Sequence, residues 1–120
     1  MKHNKDMQLL EHIIRYCDEV EMALNEYGRS KERFLNSPVF RNACSMPLSQ
    51  IGELAKHLSD EALAGMPGIP WRNVKGMRDF FVHEYHHMNI ETIWEAATED
   101  APELRRVCYI YFKKLKQANQ

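Results

Sequence analysis

The chain has 120 residues, 44% of them hydrophobic and 28% charged, with a formal net charge of −1. That length suits a single domain spanning residues 1–120, and the apolar share is too high for a disordered chain. A net charge near zero removes the long-range field by which generic nucleic-acid coat proteins collect phosphates, so any RNA contact has to be local.

Met1 to Asp6 is polar and contains no apolar run of signal-peptide or membrane-span length, which predicts a cytoplasmic protein with no membrane association. Met7, Leu10, Ile13, Ile14, Cys17, Val20, Leu24 and Tyr27 then recur at spacings of three and four, the pattern of one long amphipathic helix that Gly28 stops. A short turn or half-helix around Phe34 and Leu35 follows. Ser37-Pro38 supplies an N-cap and a first-turn proline for a second long helix, with Phe40, Ala43, Cys44, Leu48, Ile51, Leu54, Ala55 and Leu58 as its inner stripe. Pro47 is the expected position of a kink.

Ser59-Asp60 caps a brief helical piece, and the turn-rich Gly65 to Pro70 connector leads into a third main helix. Trp71, Val74, Met77, Phe81, Val82 and Tyr85 mark its apolar side. Asn89 caps a short helix carrying Ile90, Ile93, Trp94 and Ala97, and Asp100-Ala101-Pro102 announces a last helix with Leu104, Val107, Cys108, Tyr111 and Leu115 inward. No segment alternates with period two, so the expected fold is all-α, an up-and-down bundle of four to five helices. Cys17, Cys44 and Cys108 are far apart and set among apolar neighbours, as buried free thiols are. Trp71 and Trp94 lie on apolar stripes and are expected in packing, while Arg105, Arg106, Lys113, Lys114 and Lys116 give the last helix a solvated basic face.

Chemistry concentrates in the third helix. Arg78 and Tyr85 are seven residues apart and fall on one line of the helix, among Trp71, Val74, Phe81 and Val82. A guanidinium on an apolar face must find a carboxylate, reach water along its stem, or face a polar cleft. Glu53 is the candidate carboxylate across the bundle. His83 diverges from Arg78 by about 140° on an ideal helix, and Asp79, four residues before His83, can hold that imidazole's tautomer. If Arg78 and His83 act on one phosphate, either the arginine stem curls around the helix or a second copy completes the site, which argues for a homodimer. The reaction such a pair suits is attack of a ribose 2′-hydroxyl on the adjacent phosphodiester. The imidazole exchanges protons near neutrality, the guanidinium clamps the phosphorane oxygens, and no metal or other cofactor is needed. His83, His86 and His87 stand at metal-like spacings, but the sequence places no carboxylate or cysteine to complete a site.

An R-x4-H spacing alone is a weak signal. Together with Ile51-Gly52-Glu53, Ile69-Pro70-Trp71-Arg72, Gly76-Met77-Arg78, His83-Glu84-Tyr85, Trp94 and Pro102-Glu103-Leu104, in that order over most of the chain, it resembles the HEPN superfamily, and within it the HepT-like toxins encoded beside a minimal nucleotidyltransferase antitoxin. The resemblance implies an RNA-cleaving homodimer of a type VII-like toxin–antitoxin system, with catalytic roles carried onto Arg78 and His83. It also implies that Tyr85 is the residue adenylylated by the nucleotidyltransferase partner, placing phosphate charge and a bulky nucleotide on the Arg78 line. The family commonly has Asn after the arginine, and Asp79 stands there; its carboxylate repels RNA slightly while orienting His83. The alternatives are a non-catalytic module of the same superfamily that binds a nucleotidyltransferase as a scaffold, and a plain helical dimerisation domain.

Overall fold

The computed structural model describes residues 4–83 and 89–119, with the side chains of Val82 and His83 outside the description. It is all-α, and the described residues contain no strand. Helices α1 (Asn4–Glu26), α3 (Pro38–Ala55), α5 (Trp71–His83) and α7 (Ala101–Ala118) are the long elements, joined through the short α2 (Lys31–Asn36), α4 (Asp60–Ala64) and α6 (Ile90–Glu95). None is long and apolar enough to cross a membrane.

The termini follow the capping chemistry in the sequence. Gly28 and Arg29 both take positive φ, 68° and 54°, ending α1. The Ser37 hydroxyl accepts from the Phe40 N–H at 3.1 Å, that of Ser59 from the Ala62 N–H at 3.1 Å, and the Asn89 carbonyl oxygen from the Glu91 N–H at 2.9 Å. α3 continues through Pro47, which lacks the N–H that the Ala43 carbonyl would otherwise bind.

α1 lies between α3 and α7, and α3 lies between α1 and α5. The core runs along this row, with Leu10, Ile13, Leu24, Phe34, Phe40, Leu48 and Ile51 fully or almost fully buried. Phe34 packs edge-on to Phe40, and Trp94 closes the cluster at 5.1 Å from the Phe34 ring, so Trp94 is packing as expected. Trp71 is also buried, its indole N–H donating to the Met66 carbonyl at 3.1 Å.

Three expectations need correcting. Ala43 is exposed and Leu54 only half-buried, because α3 is covered over a narrower arc than its apolar pattern spans. α6 and α7 are not separated by a cap: a π-helical turn, Ala96–Asp100, links them, and Asp100 makes no side-chain cap bond. Pro102 has no N–H to continue the ladder, and the Ala101 N–H reaches back five residues to the Ala96 carbonyl. A buried polar tie went unpredicted. Asp6 is buried, and it accepts from the Ser59 N–H at 3.0 Å and the Ser59 hydroxyl at 2.6 Å, fastening α1 to the start of α4.

Candidate functional site

α5 packs principally on α3, and Gly52 lies at their contact. A Cβ there would sit 2.7 Å from the Arg78 backbone nitrogen and 2.9 Å from the Val74 carbonyl oxygen. The two helices can meet at this distance only because the position carries no side chain. The close approach sets the next residue of α3, Glu53, beside the Arg78 side chain.

Trp71 and Val74 are buried, whereas Arg78, one turn further on, is exposed. The apolar line therefore leaves the core before it reaches the arginine, and α3 ends just beyond, at Ala55. Arg78 resolves its position in all three ways open to it. Its Nε lies 3.6 Å from Glu53 Oε2, its stem leads outward with the side chain 45% exposed, and it borders a trough of about 680 Å³ between α3 and α5. Asn42, Ser49 and Gln50 line that trough from α3, with Phe81 opposite. Ser45 lines it too, and its buried hydroxyl has no hydrogen-bond partner among the described residues.

Asp79 lies with one carboxylate oxygen 3.5 Å from the Arg78 guanidinium. Its main partner is Lys56, whose Nζ stands 3.3 Å from both carboxylate oxygens. The Lys56 hydrogen bond, followed by its charge, holds the Asp79 carboxyl below the usual carboxylate range. Lys56 Nζ is also 3.8 Å from Glu53 Oε2, and His57 Nε2 is 3.8 Å from Glu53 Oε1. Two cations and two carboxylates thus interlock where α3 ends against α5.

Of the residues expected at the site, Arg78, Asp79 and Glu53 are brought together. His83 ends α5, but its imidazole lies outside the described residues, as do Tyr85, His86 and His87. The adjacency of Asp79 and His83, and the Arg78–Tyr85 line, therefore rest on helical spacing. The sequence reading missed Lys56 and the trough. The one available signal was the three-residue step from Glu53 to Lys56, which aligns them on a helix.

The basic face of α7 is partly consumed in the fold. Arg105 Nε donates to Asp18 on α1 at 2.6 Å, a bond that raises the arginine's already high pKa, and Arg106 pairs with Glu103. An apolar groove of about 510 Å³ opens between α5 and the α6–α7 arm, with Met77, Phe80 and Leu104 among its walls.

A family model described as "Ribonuclease HepT-like" matches residues 10–109. A "putative RNase" of Caldanaerobacter subterraneus subsp. tengcongensis is 36% identical over 97 residues, covering 81% of this chain and 85% of the relative. Another "putative RNase", from Methanocaldococcus jannaschii, is 28% identical over 88% of this chain and 89% of its own length. A "probable ribonuclease HepT" of Thermococcus cleftensis is 32% identical over 62% of this chain and 67% of its own. No solved structure matches at a significant level.

Proposed function

The chain belongs to the ribonuclease HepT-like family, and from that premise we propose that it is a metal-independent endoribonuclease in which Arg78 and His83 act on one phosphodiester. The observation that carries this reading is the placement of Arg78. A charged side chain, where the apolar line of α5 emerges from the core, is paired with Glu53 at the mouth of an open trough lined in part by Asn42, Ser49 and Gln50.

In the proposed reaction the imidazole of His83 takes the proton of the ribose 2′-hydroxyl as the 2′-oxygen attacks phosphorus. The P–O5′ bond breaks and the imidazolium returns that proton to the leaving 5′-oxygen, giving a 2′,3′-cyclic phosphate and a 5′-hydroxyl end. Arg78 pairs with the two non-bridging oxygens, whose charge grows in the transition state. Glu53 aims the guanidinium, at the cost of competing for it. Asp79 supports the site from the next position along α5.

Homodimerisation is part of the proposal. An ideal helix turns His83 about 140° from Arg78, and a second copy brings another motif to the same cleft. In support, α3 carries no charged residue from Asn42 to Gly52, and Val39 and Met46 stand exposed along it. That face suits coverage by another chain better than permanent exposure. Regulation completes the proposal: adenylylation of Tyr85, seven residues on from Arg78 in the sequence, by a nucleotidyltransferase antitoxin adds a phosphate that pairs with the guanidinium and a nucleotide that fills the cleft.

The test is cleavage of single-stranded RNA in EDTA by the purified protein, compared with Arg78→Ala and His83→Ala. Each variant is expected to lose on the order of 10²-fold or more in rate; equal activity in all three refutes the catalytic assignment. A second reading, a non-catalytic module that scaffolds a nucleotidyltransferase, is favoured by the engagement of Arg78 with two carboxylates. It predicts no cleavage by any form together with stable binding of the partner enzyme. Mass measurement after incubation with that enzyme and ATP tests Tyr85, where lack of an adduct removes the regulatory step.

A further inference from the structure

Arg78 offers a phosphate one positive charge, and two carboxylates stand against it: Glu53 at 3.6 Å and Asp79 at 3.5 Å. Taken by themselves these three groups sum to −1, a poor receptor for an anionic RNA backbone. Lys56, at the C-terminal end of α3, corrects the balance. Its Nζ bridges the helices to both Asp79 oxygens at 3.3 Å while staying within 3.8 Å of Glu53. His57, just past the α3 C-cap, also faces the cluster, with Nε2 3.8 Å from Glu53.

We propose that Lys56 is a positioning residue of the phosphate site, taking up the charge of Asp79 so that Arg78 is released to bind the RNA phosphodiester. The proposal rests on the phosphate-binding role given to Arg78 above. When a phosphate arrives, the guanidinium must turn part of its fork away from the carboxylates, and those carboxylates need another cation nearby. Lys56 already holds one of them and lies near the second, so the exchange leaves no uncompensated carboxylate. All four side chains are partly exposed, between 32% and 56%, so such rearrangement is cheap, as for other exposed ion pairs.

Binding of a fluorescein-labelled 2′-O-methyl RNA decamer, which lacks the attacking hydroxyl, tests the idea apart from catalysis. At low salt, Lys56→Met is expected to weaken binding by about three- to tenfold and Asp79→Asn to tighten it by a similar factor. The double variant is expected to return to within about twofold of the wild-type protein, and Lys56→Arg to retain binding, because the lysine acts by offsetting Asp79. Thermal melting of each variant checks that it is folded. A double variant as weak as Lys56→Met overturns the proposal, since Lys56 then contacts RNA directly; so does wild-type binding by Lys56→Met. If Arg78→Ala binds as the wild type does, the phosphate role of Arg78 falls and Lys56 has nothing to act through. If the binding cycle holds but RNA is not cleaved, the catalytic reading alone fails.

Discussion

Gly52 of α3 lies directly against the backbone of Arg78 in α5, so close that a Cβ at position 52 would come within 2.7 Å of the Arg78 nitrogen. Atoms on both sides of this contact belong to helical backbone, which cannot step aside as the tip of a flexible side chain can. Gly52→Ala should therefore push the helices apart despite alanine's better helix propensity, worth about 1 kcal/mol. We expect a net loss of roughly 1–3 kcal/mol in urea unfolding, as for other overpacked contacts, together with reduced RNA cleavage because Glu53 no longer meets Arg78. Unchanged stability and activity would show that the contact does not set the site.

Asp6 tests a tie made at Ser59, three residues on from Lys56. Its carboxylate is buried and takes both donors of Ser59. Asp6→Ala leaves the Ser59 N–H without that acceptor and should cost about 1–3 kcal/mol in chemical denaturation. RNA binding should stay at the wild-type level, since Asp6 and Ser59 make none of the ion pairs that join Arg78, Glu53, Asp79 and Lys56.

The pH response of the cluster follows from the lowered pKa of Asp79, held down first by the Lys56 hydrogen bond and then by its charge. A carboxyl depressed in the folded state contributes above its ordinary value of about 3.9 and loses that contribution as pH falls through the lower, folded value. The Lys56–Asp79 pair therefore stays intact from neutrality down to that ordinary value, and Asp79 should contribute no cleavage-rate change between about pH 5 and 8. Carboxyl NMR titration should show the Asp79 pKa rising in Lys56→Met; an unchanged value would show that the pair is not formed in solution.

Burial pushes the thiols of Cys17, Cys44 and Cys108 up to about 12. The thiolate is the reactive form, so the native protein at pH 8 should react negligibly with Ellman's reagent. In denaturant all three thiols should titrate. Rapid labelling of a native thiol would place that cysteine outside the core.

Removing Glu53's charge separates its two effects. In Glu53→Gln the guanidinium loses a competing carboxylate but also its aim. Binding of the 2′-O-methyl decamer should tighten by about two- to fivefold, the scale of one exposed charge pair, while the cleavage rate at saturating RNA falls. A variant that binds and cleaves like the wild type would leave Glu53 without a part in the site.

Much of the architecture was legible because helices write their own rules locally. The three- and four-residue spacing in α1, the Ser37, Ser59 and Asn89 caps and the Gly28 stop each depend on residues within one or two turns. Asp100 shows where this fails: a cap residue two before Pro102 looks like a helix start, but the helical path runs on from α6 through the π turn Ala96–Asp100 into α7, whose first turn holds the proline.

The sequence by itself determined that the chain is helical, that Arg78 breaks an apolar line and so needs a partner or water, and which helix carries the candidate chemistry. Those conclusions need only the periodicity of a helix and the cost of burying a charge. Tertiary structure alone decided that Glu53 is the partner, that Gly52 makes the meeting possible, and that Lys56, 23 residues from Asp79, is the cation gripping it. Ion pairs and close backbone approach between helices depend on how α3 and α5 sit in space, and no spacing along either helix encodes that distance.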